Sequence, residues 1–299
     1  MERRSFHDEQ SRNKRDSILL AIVVSAVLLA LIVSISYMFD PSSVYFMVPL
    51  GIMFTGIYTW SSYQYGDRVV LRSTNAQPAK GTKYIYLNDT VEGLAIAAGI
   101  PKPEVYIMPS SELNAYATGK DPEHASIAVT QGLLDTLDRQ ELEGVIAHEI
   151  SHIRNRDVQF MTLVAVLVGI AGILSHMIIR SWRYGGRRRS DKKNGSIDVL
   201  ILGIGFLLAI LAPILSRLVQ MAVSRSREYL ADASAAEMTR YPDGLADALE
   251  KLSKHNRGDM KVSESVSHMF ISDPNRTALD ALYSTHPPIE ERIKRLREM

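Results

Sequence analysis

Four long apolar runs constrain this chain more than any other feature of its sequence. The first, Ile18–Phe39, contains no charged residue and would form a helix about 33 Å long, enough to cross the hydrocarbon core of a bilayer. The second, Val44–Trp60, is flanked by tyrosines and ends at a tryptophan, residue types that favour the membrane interface. The short DPSS connection between them predicts a transmembrane hairpin. A cleaved signal peptide is disfavoured because the first run is long and a second run follows.

Basic residues set the expected orientation of this hairpin. The DPSS connection has no lysine or arginine, whereas the N-terminal tail carries Arg3, Arg4, Arg12, Lys14 and Arg15. Because basic flanks stay on the cytoplasmic side of a membrane, the N-terminus and the chain after Trp60 are expected in the cytoplasm.

The third and fourth apolar runs, residues 158–179 and 199–223, leave two topologies open. Each is long enough to span, but the loop between them (180–197) is strongly basic. If both runs cross, that loop lies outside, against the usual charge bias. The alternative is a hairpin lying in the cytoplasmic leaflet with its basic loop near anionic headgroups. Both topologies keep the segments before and after the pair on the same side.

The remaining segments predict a predominantly helical α+β domain. A helix is expected to start at Asn88 or Asp89 and to end at Gly99, and strands are expected at 104–108, 114–118 and 126–130. Asp138 and Glu141 have the spacing of a capping box, which predicts a helix over the following residues. After residue 223, helices are predicted for SREYLADASAAEM, for DGLADALEKLSKHN and after the prolines of THPPIEERIKRLREM, where Ile289, Ile293 and Leu296 share one face.

Composition limits the chemistry. The chain of 299 residues contains no cysteine, so disulfides and thiolate metal sites are excluded and any metal must be held by His, Asp or Glu. Its net charge of +1 gives no reason to expect a nucleic-acid partner. The basic loop is interpreted as lipid-facing or solvated, because the apolar runs already require a membrane.

The stretch HEISH indicates a catalytic metal site. His148 and His152 are four residues apart, so on a helix their rings project from one face and can share a metal ion. Glu149 is placed to take a proton from water as that water attacks a carbonyl. A catalytic zinc site needs one further protein ligand and an open position.

The third ligand must lie elsewhere in the chain. An extended H-E-x-x-H-x-x-G-x-x-H pattern fails, because Asn155 and Val158 stand where its glycine and histidine would be. Glu228 is the best candidate, since it follows the fourth apolar run as His148 precedes the third, and the hairpin would bring both together. Asp232, one turn later, is a candidate hydrogen-bond partner for a ligand histidine. The runners-up are Glu237 and His286, and Glu228 could also be an ordinary exposed glutamate paired with a neighbouring arginine.

Taken together, HEISH, SREYLAD, LNAYATG, AVTQGLLD and THPPIEERI resemble the HtpX-like membrane zinc metalloproteases of peptidase family M48. The resemblance covers nearly the whole chain. It implies a membrane protein with four hydrophobic helices and a cytoplasmic gluzincin-type metalloprotease domain with a small β-sheet. It further implies one Zn²⁺ per chain held by His148, His152 and Glu228, with Glu149 as the base.

The resemblance also implies a cell-membrane endopeptidase, multi-pass and facing the cytoplasm, whose substrates are unfolded or damaged membrane proteins. It places Asn114 along the substrate cleft, where an edge strand could pair with an extended peptide; the alternative is a turn asparagine before a strand. His286 could donate to the developing oxyanion or simply cap the last helix.

The expected organisation has four parts. Residues 1–62 form the tail and first hairpin, 63–157 the first half of the catalytic domain, 158–223 the second hairpin and 224–299 the second catalytic half. Two other functions stay open: a metalloprotease that processes prenylated peptides, and a membrane scaffold or chaperone whose metal site is only structural. A structural zinc site would normally be closed by four protein ligands.

Overall fold

The computed structural model describes residues 42, 44–166, 225–258, 260, 262–274 and 287–299, with a few positions between 15 and 29. Most of the first and third apolar runs, the whole of the fourth, the basic loop 180–197 and His286 lie outside the described residues.

The described residues form a predominantly helical α+β structure, as predicted. The helices are α1 (Val44–Ser73), α2 (Ile85–Ala98), α3 (Gln131–Thr136), α4 (Arg139–Arg154), α5 (Arg225–Thr239), α6 (Pro242–His255), α7 (Glu264–Ser267) and α8 (Ile289–Arg297), and residues 157–166 are helical as well. The strands are β1 (Gln77–Pro78), β2 (Glu104–Met108), β3 (Ala115–Gly119) and β4 (Ala125–Thr130).

The four strands described make one small mixed sheet in the order β1-β2-β4-β3. β2 and β4 are parallel, while β1 and β3 pair antiparallel with their neighbours. β3 therefore lies at one edge of the described sheet, with its inner side bonded to β4. Two of the predicted strands begin one residue away from the observed ones, at Ala115 and Ala125.

Helix α2 begins earlier than predicted. The expected start at Asn88 or Asp89 is wrong, because α2 begins at Ile85. The Asn88 amide does not cap the helix but donates to the carbonyls of Tyr84 (2.9 Å) and Ala79 (3.1 Å), fixing the incoming loop against the first turn. The predicted end is confirmed, since Gly99 has a left-handed φ of 70°.

Helix α1 is longer than the second apolar run. It continues past Trp60 to Ser73, so the boundary expected after residue 62 falls inside it. Its first half exposes large apolar side chains such as Tyr45 and Phe54, whereas Val70 and Leu71 are part of the core. In the described part of the chain, we find no helix whose length and apolarity would let it cross a membrane.

Helix α4 is the central element of the domain. The predicted capping box is present, with the Asp138 carboxylate accepting from the Glu141 N–H and the Glu141 carboxylate accepting from the Asp138 N–H. The helix packs against α2, α5, α6 and β3, so nearly every residue from Gly144 to Ile153 is buried. Its contact with α6 is especially close, because Gly144 and Gly244 bring backbone against backbone.

Adding one methyl group at this contact tests how tightly α4 is held. In Gly144→Ala the new Cβ would lie 2.6 Å from Leu245 N and 2.8 Å from Leu245 Cα, so the helices must separate. We expect the free energy of unfolding to fall by about 1–3 kcal/mol.

The matched control is Gly93→Ala on α2, where a Cβ would meet nothing within 4 Å. This substitution should raise the free energy of unfolding by roughly 0.5–1 kcal/mol, because alanine restricts the unfolded chain. Urea unfolding in detergent measures both. Equal destabilisation by the two substitutions would contradict the close α4–α6 contact.

Candidate metal centre

The two histidines of the HEISH stretch face each other on α4. Their Nε2 atoms lie 3.2 Å apart, and both side chains are almost completely buried. The geometry follows from their spacing, since residues four apart stand one above the other on a helix. The rings meet nearly edge to face, at an interplanar angle of 89°, and the short distance between the two Nε2 atoms lets both reach one ion.

Helix α5 brings a carboxylate to the same place. Glu228 Oε2 lies 3.8 Å from His148 Nε2, and Glu228 Oε1 lies 3.6 Å from His152 Nε2. One ligand atom from each of the three residues can be chosen within 4.8 Å of the other two. Glu228 is 4% exposed, which excludes an ordinary solvated helical glutamate. The runner-up Glu237 is exposed and stands outside this cluster.

Two further carboxylates orient the imidazole rings. His148 Nδ1 lies 3.0 Å from Asp232 Oδ1, and His152 Nδ1 lies 3.0 Å from Asp157 Oδ2. If each Nδ1–H donates to its carboxylate, each Nε2 keeps a lone pair directed at Glu228. Asp157 reaches back to α4 because the chain turns at Arg156, which has a left-handed φ of 61°.

These residues fit a divalent metal ion. Two imidazole nitrogens and one carboxylate form the donor set of many catalytic zinc sites, in which ligand atoms about 2.0–2.2 Å from the ion leave roughly 3.3 Å between them. The two Nε2 atoms are 3.2 Å apart, and each lies near that distance from one carboxylate oxygen of Glu228, 3.6 Å from Oε1 for His152 and 3.8 Å from Oε2 for His148. With one ligand atom taken from each residue, the three atoms lie within 4.8 Å of one another. Among the described residues, no fourth His, Asp or Glu joins the cluster.

Glu149 lies beside this cluster and is held by the sheet. Its carboxylate accepts a hydrogen bond from the Ala117 N–H of β3. Burial raises the pKa of Glu149 to about 7, an effect that the neighbouring His152 and Arg292 charges only partly oppose. A carboxyl group with a near-neutral pKa can both accept and release a proton at physiological pH.

The two histidines differ in their affinity for protons. Burial lowers the pKa of His148. Burial also disfavours the charged ring of His152, but its hydrogen bond to Asp157 and the charges of Glu228 and Asp157 raise its pKa to about 9. A metal ion would compete with the proton for His152 Nε2.

Arg292 of α8 completes the cluster and was missed by the sequence analysis. Its guanidinium makes two bonds to Asp232, from Nε (2.9 Å) and Nη2 (2.7 Å), and its Nη1 lies 3.3 Å from Glu228 Oε2. The side chain is only 1% exposed. One signal was available: Arg292 occupies the same face of α8 as Ile289, Ile293 and Leu296, where an apolar residue would be expected.

Three further residues were predicted to contribute to the site: Asn114, Asp232 and His286. Asn114 is fully buried immediately before β3, and its amide donates to the carbonyl of Ser272 at 2.8 Å. Asp232 accepts from His148 and Arg292, as a residue orienting a ligand would. His286 lies outside the described residues.

Comparisons with known proteins agree on one family. The model of peptidase family M48 matches residues 83–299. A "Protease HtpX homolog" of Caldanaerobacter subterraneus subsp. tengcongensis is 45% identical over 100% of this chain and 99% of its own length. Another, from Thermoanaerobacter pseudethanolicus, is 46% identical with the same coverage. The crystal structure of S. mikatae Ste24p matches with a TM-score of 0.51 at 20% identity, covering 96% of this chain and 66% of that one, and this likeness concerns the fold alone.

The geometry predicts that Arg292 supports metal binding indirectly. In Arg292→Lys the charge is kept, but a lysine cannot make the two parallel bonds to Asp232, so His148 loses its fixed orientation. We expect the affinity for Zn²⁺ to fall roughly 10–100-fold. Competition with a chromogenic chelator measures it.

Arg295→Lys is the matched control on the same helix. Arg295 is exposed, lies over the Tyr229 ring and pairs with Glu291, away from the cluster. Equal Zn²⁺ affinities for both variants would show that the Arg292 bonds do not support the site.

Proposed function

The chain belongs to peptidase family M48 and is a metalloprotease, and we propose that it is a membrane-anchored zinc endopeptidase that cleaves misfolded or damaged membrane proteins at the cytoplasmic face. The observation that carries the zinc endopeptidase chemistry is the convergence of His148, His152 and Glu228 on one buried point, with Glu149 beside it. The cellular role rests on the family resemblance and on the apolar runs.

In this proposal His148, His152 and Glu228 hold one Zn²⁺. Zinc in such a site supplies Lewis acidity, which makes water a better nucleophile and polarises a carbonyl. The Glu149 carboxylate takes the proton from the attacking water and passes it to the leaving amine nitrogen. Burial favours uptake of that proton by Glu149, because it disfavours the charged carboxylate and so raises its pKa.

The surrounding charges act by positioning. Asp232 and Asp157 each accept from a histidine Nδ1, which keeps both Nε2 lone pairs directed at the metal position. Arg292 holds Asp232 in place and lies beside Glu228. None of these three side chains needs to touch the substrate.

Substrate recognition in this proposal uses the outer edge of β3. An extended peptide could add to that edge through main-chain hydrogen bonds, so selection would favour unfolded segments over particular sequences. Asn114 lies at the start of the same edge, with an amide able to bond a peptide backbone. His286 is proposed to donate to the developing oxyanion.

Two observations favour this function over the alternatives. A purely structural zinc site would normally have four protein ligands, whereas the described residues supply three. A prenyl-peptide processing enzyme is less well supported, because the relatives named as HtpX proteases match this chain over its full length.

The proposed membrane anchoring rests on the four apolar runs and on the exposed apolar side chains of the first half of α1. Residues 1–62 and 158–223 would supply the two hairpins, and 63–157 with 224–299 the catalytic halves. Both halves would face the cytoplasm, because basic residues precede the first run.

The mechanism predicts that Glu149→Gln separates catalysis from metal binding. Removing the base should lower kcat about 10²–10⁴-fold, while the Zn²⁺ content stays at one per chain. Cleavage of reduced, unfolded β-casein and metal analysis measure the two effects. Glu143→Gln, on the same helix but bonded to Tyr86 instead, is the control and should cleave like the wild type. Wild-type cleavage by Glu149→Gln would refute the mechanism.

The proposed topology predicts that tags at the N- and C-termini share one side of the membrane. In inverted membrane vesicles, added trypsin should remove both tags, and in right-side-out spheroplasts it should remove neither. Removal of only one tag would contradict the paired-hairpin arrangement. Cleavage in the basic loop 180–197, monitored in the same samples, distinguishes a spanning second hairpin from one lying on the cytoplasmic leaflet.

A further inference from the structure

Backbone groups on the outer edge of β3 already have hydrogen-bond partners within the protein. In its antiparallel pairing with β4, alternate residues of β3 direct their backbone groups away from the sheet. Ala115 O accepts from Ile271 N at 3.0 Å, Ala117 N–H donates to Glu149, and Gly119 N donates to Thr162 Oγ1 at 3.1 Å. A substrate could therefore add to this edge only by replacing one or more of these partners.

The partner at the start of the edge is a short backbone segment, Phe270–Ser272. Phe270 forms an antiparallel β-bridge with Tyr116, and Ile271 N–H donates to Ala115 O. Ser272 N–H donates to Asn114 Oδ1 at 3.3 Å, and Ser272 O accepts from Asn114 Nδ2 at 2.8 Å. Apart from its side chains, the segment makes the bonds that an extended peptide of any sequence would make.

Side chains hold the segment in place from both sides. The Phe270 ring packs edge-on against Tyr116, with centroids 4.9 Å apart, and Ile271 is buried as well. Behind the segment, Arg292 Nη1 donates to Ile271 O at 3.1 Å. The segment is thus bonded to the edge strand through its N–H and to the metal cluster's arginine through its carbonyl.

The segment also lies where a substrate would have to be. Ala117, the next outward-facing residue after Ala115, is the one whose N–H contacts Glu149. A peptide that placed its scissile carbonyl near Glu149 and continued along β3 would reach Ala115 and Asn114. Those are the residues that Ile271 and Ser272 now bond.

We propose that Phe270–Ser272 is a built-in autoinhibitory strand that occupies the substrate-binding edge of β3 and must be displaced before an extended substrate can bind. The inference rests on the proposed function, because it presumes that substrates add to this edge. Displacement exchanges backbone hydrogen bonds for others of the same kind, so a long unfolded chain can compete. A short folded loop, which cannot replace the whole set, is rejected.

A reversible crosslink tests whether the segment must move. The chain has no cysteine, so Tyr116→Cys with Phe270→Cys introduces a single pair. Bridge partners in an antiparallel pairing have Cα atoms about 4.5–5.5 Å apart, within the range that a disulfide spans. We expect the oxidised double variant to cleave β-casein at least about tenfold more slowly than the same protein reduced with a phosphine. The disulfide would abolish the population of molecules in which the segment has left β3 and a substrate can bind.

Two controls accompany the crosslink. The single Tyr116→Cys variant should be insensitive to oxidation, and the Zn²⁺ content of the double variant should be equal in both redox states. Equal cleavage rates for the oxidised and reduced double variant would overturn the proposal, since the segment would then be a fixed extension of the sheet.

Hydrogen exchange provides a second test that does not depend on the cysteine variants folding. In Glu149→Gln, β-casein should bind without being cleaved, and the Ile271 amide should then exchange about tenfold faster than in the substrate-free protein. Unchanged protection of that amide at saturating β-casein would overturn the proposal. If the wild-type zinc protein cleaved no β-casein, the proposed function would fail instead, and the exchange of Ile271 would still report whether bound β-casein displaces the segment.

Discussion

Charge compensation in a cluster shielded from water is the constraint on which the rest of this structure depends. Four buried carboxylates, those of Glu149, Asp157, Glu228 and Asp232, surround two histidines and one fully buried guanidinium. Isolated buried charges are very costly, so each must have partners in good geometry. The Arg292 bonds to Asp232 satisfy part of this requirement, and a divalent cation would reduce the negative excess further. The same groups that would bind metal therefore also determine how α4, α5 and α8 must pack.

Precise placement of α4 lets each buried charge meet its partners. The capping box fixes where α4 begins. The contact between Gly144 and Gly244 sets the distance between α4 and α6, because the two helix backbones touch there. β3 also packs against α4, where the Ala117 N–H orients Glu149. A carboxylate misplaced by 1 Å would leave either a histidine or Arg292 without its partner, and such small errors are enough to impair a catalytic arrangement.

Local patterns predicted the parts of the fold and site that depend on neighbours in sequence. The capping box at Asp138, the glycine end of α2 and the pair of histidines on α4 all follow from spacings of three or four residues. Arg292 was missed because charged side chains on a short terminal helix are normally solvated, and only the distant Asp232 explains its burial. The bonds of Phe270–Ser272 to Asn114 and β3 join residues more than 150 positions apart, and sequence periodicity does not predict such a contact.

The unbroken course of α1 has a mechanical consequence. Its apolar first half ends near Trp60, and ten residues later Val70 is embedded in the core beside β3. An α-helix is stiff and rises 1.5 Å per residue, so these points are held about 15 Å apart. If the first half of α1 lies in the bilayer as proposed, the helix acts as a spacer of fixed length. An extended chain covers that distance with about five residues, so under the proposed topology a membrane segment would have to release about that much chain to reach the level of Val70.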